Sequence, residues 1–218
     1  MQQVASPMLR KLLLSCGVVA SILYVATDVA AAILHPAYHS FRARAVSELM
    51  ASGAPTERLV DPLFLVYDAL MIAFAIGLWL SSERARLAAG MLLAYGALGL
   101  LGPTLFEMNV RGSGGSPMAD TLHIALTGVI VLLILATVAV GAFLGGHRFR
   151  VYSLVTIAVM VLFGVVTWFA MRGIGTGEPT PWGGLLERVN IGAFLLWIAV
   201  LAIARLRAAR EPLLLVAR

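Results

Sequence analysis

Six stretches of nearly unbroken apolar residues alternate with short polar segments, at roughly 12–34, 62–80, 87–106, 121–143, 151–171 and 189–206. Each has about the 20 apolar residues that a helix needs to cross a bilayer, and Gly, Pro or charge separates it from the next. None alternates apolar with polar as a barrel strand does. The pattern predicts an all-α fold, a polytopic bundle of six transmembrane helices forming one domain over residues 1–218. Gly90, Gly96, Gly99, Gly102 and Pro103 crowd the third run. Small residues of this kind let helices approach closely in lipid.

Composition agrees with this reading. The chain of 218 residues is 61% hydrophobic and 12% charged, about half the charge of a soluble domain. Its mean hydropathy is +0.94. That excludes disorder, disulfide-rich secreted folds and most soluble enzymes. The single cysteine, Cys16, excludes an internal disulfide and a cysteine-rich metal site. Arg10 and Lys11 precede a run ending near Ala30-Ala31-Ala32, a faint likeness to a cleaved signal. The length of the run and Asp28 inside it favour a retained span.

The net charge of +5 comes from fifteen Arg and one Lys. They stand singly between apolar runs, which argues for topology and against nucleic acid. Arg10, Lys11, Arg84, Arg86, Arg148, Arg150, Arg205, Arg207, Arg210 and Arg218 fall on the face of the termini; Arg42, Arg44, Arg58, Arg111, Arg172 and Arg188 fall on the other. Ten against six, in shorter loops, predicts cytoplasmic N- and C-termini and a multi-pass protein of the cell membrane. Of the acidic residues, only Glu83 and Glu211 join the cytoplasmic face. The outer loops, roughly 35–61, 107–120 and 172–188, are long and varied. A rigid scaffold positions functional loops, so the chemistry is expected at that end.

The first outer loop carries His35-Pro36 and His39, then Val46-Ser47-Glu48-Leu49-Met50. His35 and His39 have the four-residue spacing of metal ligands on a helix, although Pro36 disfavours that helix. Metal binding competes with two histidines at the headgroup level. Val46, Leu49 and Met50 suit the apolar side of a short interfacial helix, with Ser47 and Glu48 on or beside its polar side. Asp28 and Asp68 lie inside spans, about 10 Å below the outer surface at about 1.5 Å per residue. Such acids face a bundle interior or a wet cavity. They are either packing anchors or the floor of a polar pocket. Asp120 or Thr121 is placed to cap the fourth helix, which puts His123 in its first turn. There the macrodipole disfavours protonation, and His123 either makes a structural bond or acts as a base, with Glu107 as a candidate partner. Glu187 and Arg188 precede the last span. Adjacent helical positions point apart, so each is expected to meet another loop. No phosphate-binding loop, nucleophile elbow, zinc helix or dinucleotide motif occurs, and no cofactor is indicated.

Over roughly residues 10–206 the chain resembles the bacterial and archaeal membrane family known as domain of unknown function 998. The resemblance rests on His35-Pro36, Ser47-Glu48-Leu49, Gly53-Ala54-Pro55, Leu122-His123, Glu187-Arg188 and Trp197. The family's acidic motif begins Phe-Pro after the third span. Here it reads Phe106-Glu107-Met108, a departure that weakens any role for Glu107. The resemblance implies a six-helix integral membrane protein and no particular reaction.

Two functions fit these residues best, ahead of a purely structural role and of transport, for which only the third run looks broken. In the first, the protein binds membrane lipid or a small amphipathic ligand in an outward pocket. Arg188 grips an anionic headgroup, Glu48 and Glu187 orient Arg188 and His123, Ser47, Asp28 and Asp68 complete the lining, and a partner protein does any chemistry. In the second, it is an intramembrane hydrolase or transferase acting on lipid. His123 is then the base, Glu48 or Glu107 its partner and Ser47 a nucleophile, or else His35, His39 and His123 hold zinc.

Overall fold

The computed structural model describes residues 6–105 and 107–209, with residues 103–105 described by backbone alone. Phe106, and Arg210, Glu211 and Arg218 of the charge count, lie outside the described residues. Six long helices run in order: α1 (Pro7–Leu34), α2 (Glu57–Trp79), α3 (Arg86–Leu105), α4 (Pro117–Gly141), α5 (His147–Ala170) and α6 (Gly183–Ala208). All six are long and apolar enough to cross a membrane. Among the described residues there is no strand, only an isolated bridge between Ser52 and Asn109.

Most helices begin several residues before their apolar run. The run marks the part suited to hydrocarbon, whereas a helix continues through polar residues until its free N–H groups are capped. The Leu9 N–H donates to Ser6 Oγ at 3.2 Å, and Pro7 opens α1. Pro117 opens α4, so α4 starts ahead of the expected cap at Asp120 or Thr121. Proline suits this position because its missing N–H has no intrahelical partner there.

Each helix packs on its neighbours in sequence, and α6 returns to α1 and closes the ring. Leu14 of α1, Phe74 and Leu78 of α2, and Trp197, Ile198 and Leu201 of α6 are fully buried in one hydrophobic core. Glycines set the approach of α1 and α2. A Cβ on Gly77 would stand 2.8 Å from Leu13, and one on Gly17 would stand 2.9 Å from the Phe74 ring. Gly96 and Gly99 do the same for α3 against Ile72 and Asp68 of α2. Of the apolar window of α4 and of α5 only 17% is buried, against 39% in α2. Their outward Leu and Val side chains face what would be lipid.

The two ends of the bundle differ. At one end, brief connections near residues 80–85 and 142–146 accompany the start of α1 and the close of α6. At the other, three longer loops fold over the bundle. In the first, a single 3₁₀ turn over Ser47–Met50 takes the place of the expected interfacial helix. Val46 and Leu49 are buried, and so is Glu48, which points inward. Ala51, Ala54 and Met108 form a small second core with Tyr38, Val110 and Ile174, drawing on all three loops. The Ser52 N–H donates to the Met108 carbonyl at 2.9 Å and ties the first loop to the second.

Candidate functional site

The last turns of α1 and the first turns of α6 meet under the first loop, and two ionic clusters form there. In the first cluster Asp28 of α1 faces Arg188 of α6. Arg188 Nε donates to Asp28 Oδ2 at 2.7 Å and Nη2 to Oδ1 at 2.8 Å, a bidentate pair. His39 Nε2 lies 2.9 Å from the same Oδ1 and 3.3 Å from Arg188 Nη2. The shorter contact assigns Nε2–H as a donor to Asp28. Arg188 Nη1 reaches the carbonyls of Arg44 (2.6 Å), Gly184 (3.1 Å) and Phe41 (3.2 Å). Four of the five N–H groups of Arg188 thus have oxygen partners within the protein.

Pro36 ends α1 by local physics, and this brings His39 into the cluster. His35 closes the helix, and the His39 N–H donates to its carbonyl at 2.9 Å. The turn carries the His39 ring back over Asp28. His35 and His39 therefore do not share a helix face. Among the described residues no group of three or more His, Cys, Asp or Glu side chains is arranged to hold a metal.

The second cluster centres on Glu48, whose side chain is fully buried. Its carboxylate accepts four hydrogen bonds. Oε1 receives Arg44 Nη1 (3.0 Å) and Arg111 Nε (2.8 Å); Oε2 receives the Ala45 N–H (2.8 Å) and Arg111 Nη2 (2.6 Å). Tyr38 donates to the Glu48 carbonyl at 2.9 Å. Burial pushes the Tyr38 hydroxyl above its ordinary pKa, so it stays a donor. Thr180 Oγ1 donates to the Ala43 carbonyl at 2.8 Å and ties in the third loop.

Glu187 and Arg188 diverge to separate partners. Glu187 Oε2 accepts the Val46 N–H at 2.8 Å. Gly184 lets the first loop lie against α6, since a Cβ there would collide with the Arg44 backbone. Together these contacts hold residues 39–48 on α6.

The remaining candidates lie elsewhere. Asp68 packs its carboxylate against Gly99 at the α2–α3 contact. His123 is half-buried near the start of α4; among the described residues Arg188, Glu48 and Glu187 take their partners from other elements. Glu107 is exposed after α3. Asp120 accepts the Asn109 N–H at 2.9 Å and so holds the second loop. Ser47 is half-buried in the 3₁₀ turn.

Above the clusters the surface forms an open recess of about 420 Å³. Tyr38, Arg42, Arg44, Arg111 and residues 179–181 are among its walls. Arg111 had no local signal in the sequence, because it reaches Glu48 from a distant glycine-rich turn. The four-residue spacing of Arg44 and Glu48 was the available hint.

Six apolar helices, closed into a ring and capped at one end by ionically fastened loops, define a multi-pass helical membrane protein. A family model described as "Protein of unknown function (DUF998)" matches residues 18–204, and the chain belongs to that family. No curated protein and no solved structure matches the chain.

Proposed function

We propose that the protein lies in the cell membrane with both termini in the cytoplasm, and that it binds a lipid or another amphipathic ligand at its loop-rich end. The recess beside exposed aromatic side chains carries this reading. Trp182 and Phe41 are exposed, Trp182 beneath the Arg42 guanidinium that lines the recess, and such rings suit the membrane–water boundary. A ligand with one polar and one apolar part fits such a border. The first loop cannot drift, because Asp28, Glu48 and Glu187 each fasten it or its partners. A preorganised surface loses less ordering entropy on binding.

The hydrolase or transferase reading has less support. It needs Glu48 or Glu107 to work with His123, yet the Glu48 oxygens already accept four hydrogen bonds. Arg188 likewise serves this proposal as a fastener of the first loop and not as the ligand's grip.

Native mass spectrometry of protein extracted in mild detergent tests the proposal. A retained amphipathic ligand, near one per chain, is expected. A bare protein that no added lipid stabilises against heat would contradict it. Orientation is tested separately, with Ser113→Cys in the exposed second loop of a Cys16→Ser background. Impermeant maleimide should label it in intact cells, and labelling only after lysis would reverse the topology.

A further inference from the structure

The wall of the recess is one-sided in charge, and this defines its ligand. Arg42, Arg44 and Arg111 line it. Glu48 answers Arg44 and Arg111 from beneath with one negative charge. Asp28 is matched by Arg188, and the Glu187 carboxylate faces the Val46 N–H. Glu178 offers its carbonyl to Arg111 at 3.3 Å, while its carboxylate turns toward Gly173. These carboxylates lie beneath the wall or turn to other partners, so the wall itself presents three guanidinium groups and no carboxylate.

These guanidinium groups are also oriented. Arg42 stacks over the Trp182 ring at 4.8 Å, and Arg44 over the Tyr38 ring at 4.2 Å. Stacking fixes the plane of a guanidinium and leaves its N–H edge available. Among the described residues the Arg42 guanidinium donates no hydrogen bond, and Arg44 donates one, to Glu48. Ser40 and Thr180 add hydroxyl groups to the wall. Planar N–H forks with spare donors match the oxygens of a phosphate group.

We infer that the recess takes a phosphate-bearing anion, the headgroup of an anionic phospholipid or a free phosphate compound, held by the spare N–H groups of Arg42 and Arg44, while Arg111, whose N–H groups mostly meet Glu48, Ala43 and Glu178, adds its charge. This rests on the ligand-binding reading above and narrows it to a class of headgroup. Arg42 supplies selectivity without a structural duty. Arg44 and Arg111 supply both charge and the fastening of Glu48.

The test is a binding titration of the purified full chain, in mild detergent, with phosphatidylglycerol and with diacylglycerol of the same acyl chains, which lacks the phosphate. Each is repeated with inorganic phosphate as competitor and at raised salt. Phosphatidylglycerol is expected to bind about tenfold more tightly than diacylglycerol, as one or two charge-assisted hydrogen bonds would give. Arg42→Ala should remove most of that preference and leave diacylglycerol binding unchanged. Arg42→Lys should restore part of it. Salt should weaken the anionic lipid alone. Competition by phosphate at millimolar concentration would assign the site to free phosphate compounds as well as lipids; absence of competition would assign it to the lipid. Equal binding of the two lipids would overturn the phosphate assignment and leave the ligand-binding reading standing. Binding of neither lipid nor phosphate would overturn both. Unchanged melting of Arg42→Ala guards against a folding defect.

Discussion

Two arginines on α6 sit at opposite ends of the bundle, roughly 25 Å apart along the helix, and are treated differently. Arg188 is gripped by Asp28 and by three backbone carbonyls. Arg205 donates one hydrogen bond, from Nη2 to Ser82 Oγ at 3.0 Å, and its buried Nε meets no partner among the described residues. The short-loop end relies on packing instead. Trp197 lies on Gly141, where a Cβ would come 2.5 Å from its ring, and its Nε1 donates to Ser153 Oγ at 2.9 Å. The salt bridge near there, Glu83 with Arg86, is solvent-exposed. Buried charge therefore fastens one end and side-chain volume the other. Long irregular loops need directional anchors, because much of their backbone lacks the regular hydrogen-bond partners that a helix supplies.

Substitutions that break this contrast rank by size. Arg188→Ala should be the most damaging. It strands the Asp28 carboxylate, and losing one partner of a buried ion pair costs about 3–5 kcal/mol, read as unfolding free energy in bicelles. Glu48→Gln follows, at about 2 kcal/mol. It keeps the shape but weakens the hold on Arg44 and Arg111, and limited proteolysis should then cut within residues 40–56. At the packed end, Gly141→Ala should cost about 1–3 kcal/mol by pushing Trp197 aside, visible as a change in tryptophan emission. Arg205→Met should fall within about 1 kcal/mol of the parent, since one hydrogen bond is lost while an unpartnered N–H is removed. Glu83→Ala should shift melting least, by under about 0.5 kcal/mol, as exposed pairs do. An Arg205→Met effect as large as that of Arg188→Ala would erase the distinction between the ends.

The spans were legible because hydrophobic runs of this length have one outcome in a membrane. The unequal loops also pointed to one end. Partnerships were less legible. Asp28 and Arg188 were each visible as residues needing a partner, but 160 positions separate them, and periodicity does not reach across helices. The four-residue spacing pairs His39 with His35, whereas the chain leaves the helix at His35 and turns His39 toward Asp28. The local pattern puts Glu48 on or beside the polar side of an interfacial helix. A carboxylate enters a buried position only when enough donors surround it, and two of its donors belong to Arg111 in another loop. His123 drew attention through its place at a helix start, a local feature that says nothing of neighbours from other loops.

The account turns on Arg188 as a clamp for the first loop. A double-mutant cycle measures this most directly, with unfolding free energies of Asp28→Ala, Arg188→Ala and the double variant. The clamp predicts strong coupling: the double variant should be less destabilised than the sum of the single ones, by about 2 kcal/mol. Additive, near-neutral effects, with Arg188→Ala instead abolishing lipid binding, would contradict it and return Arg188 to the role of ligand grip.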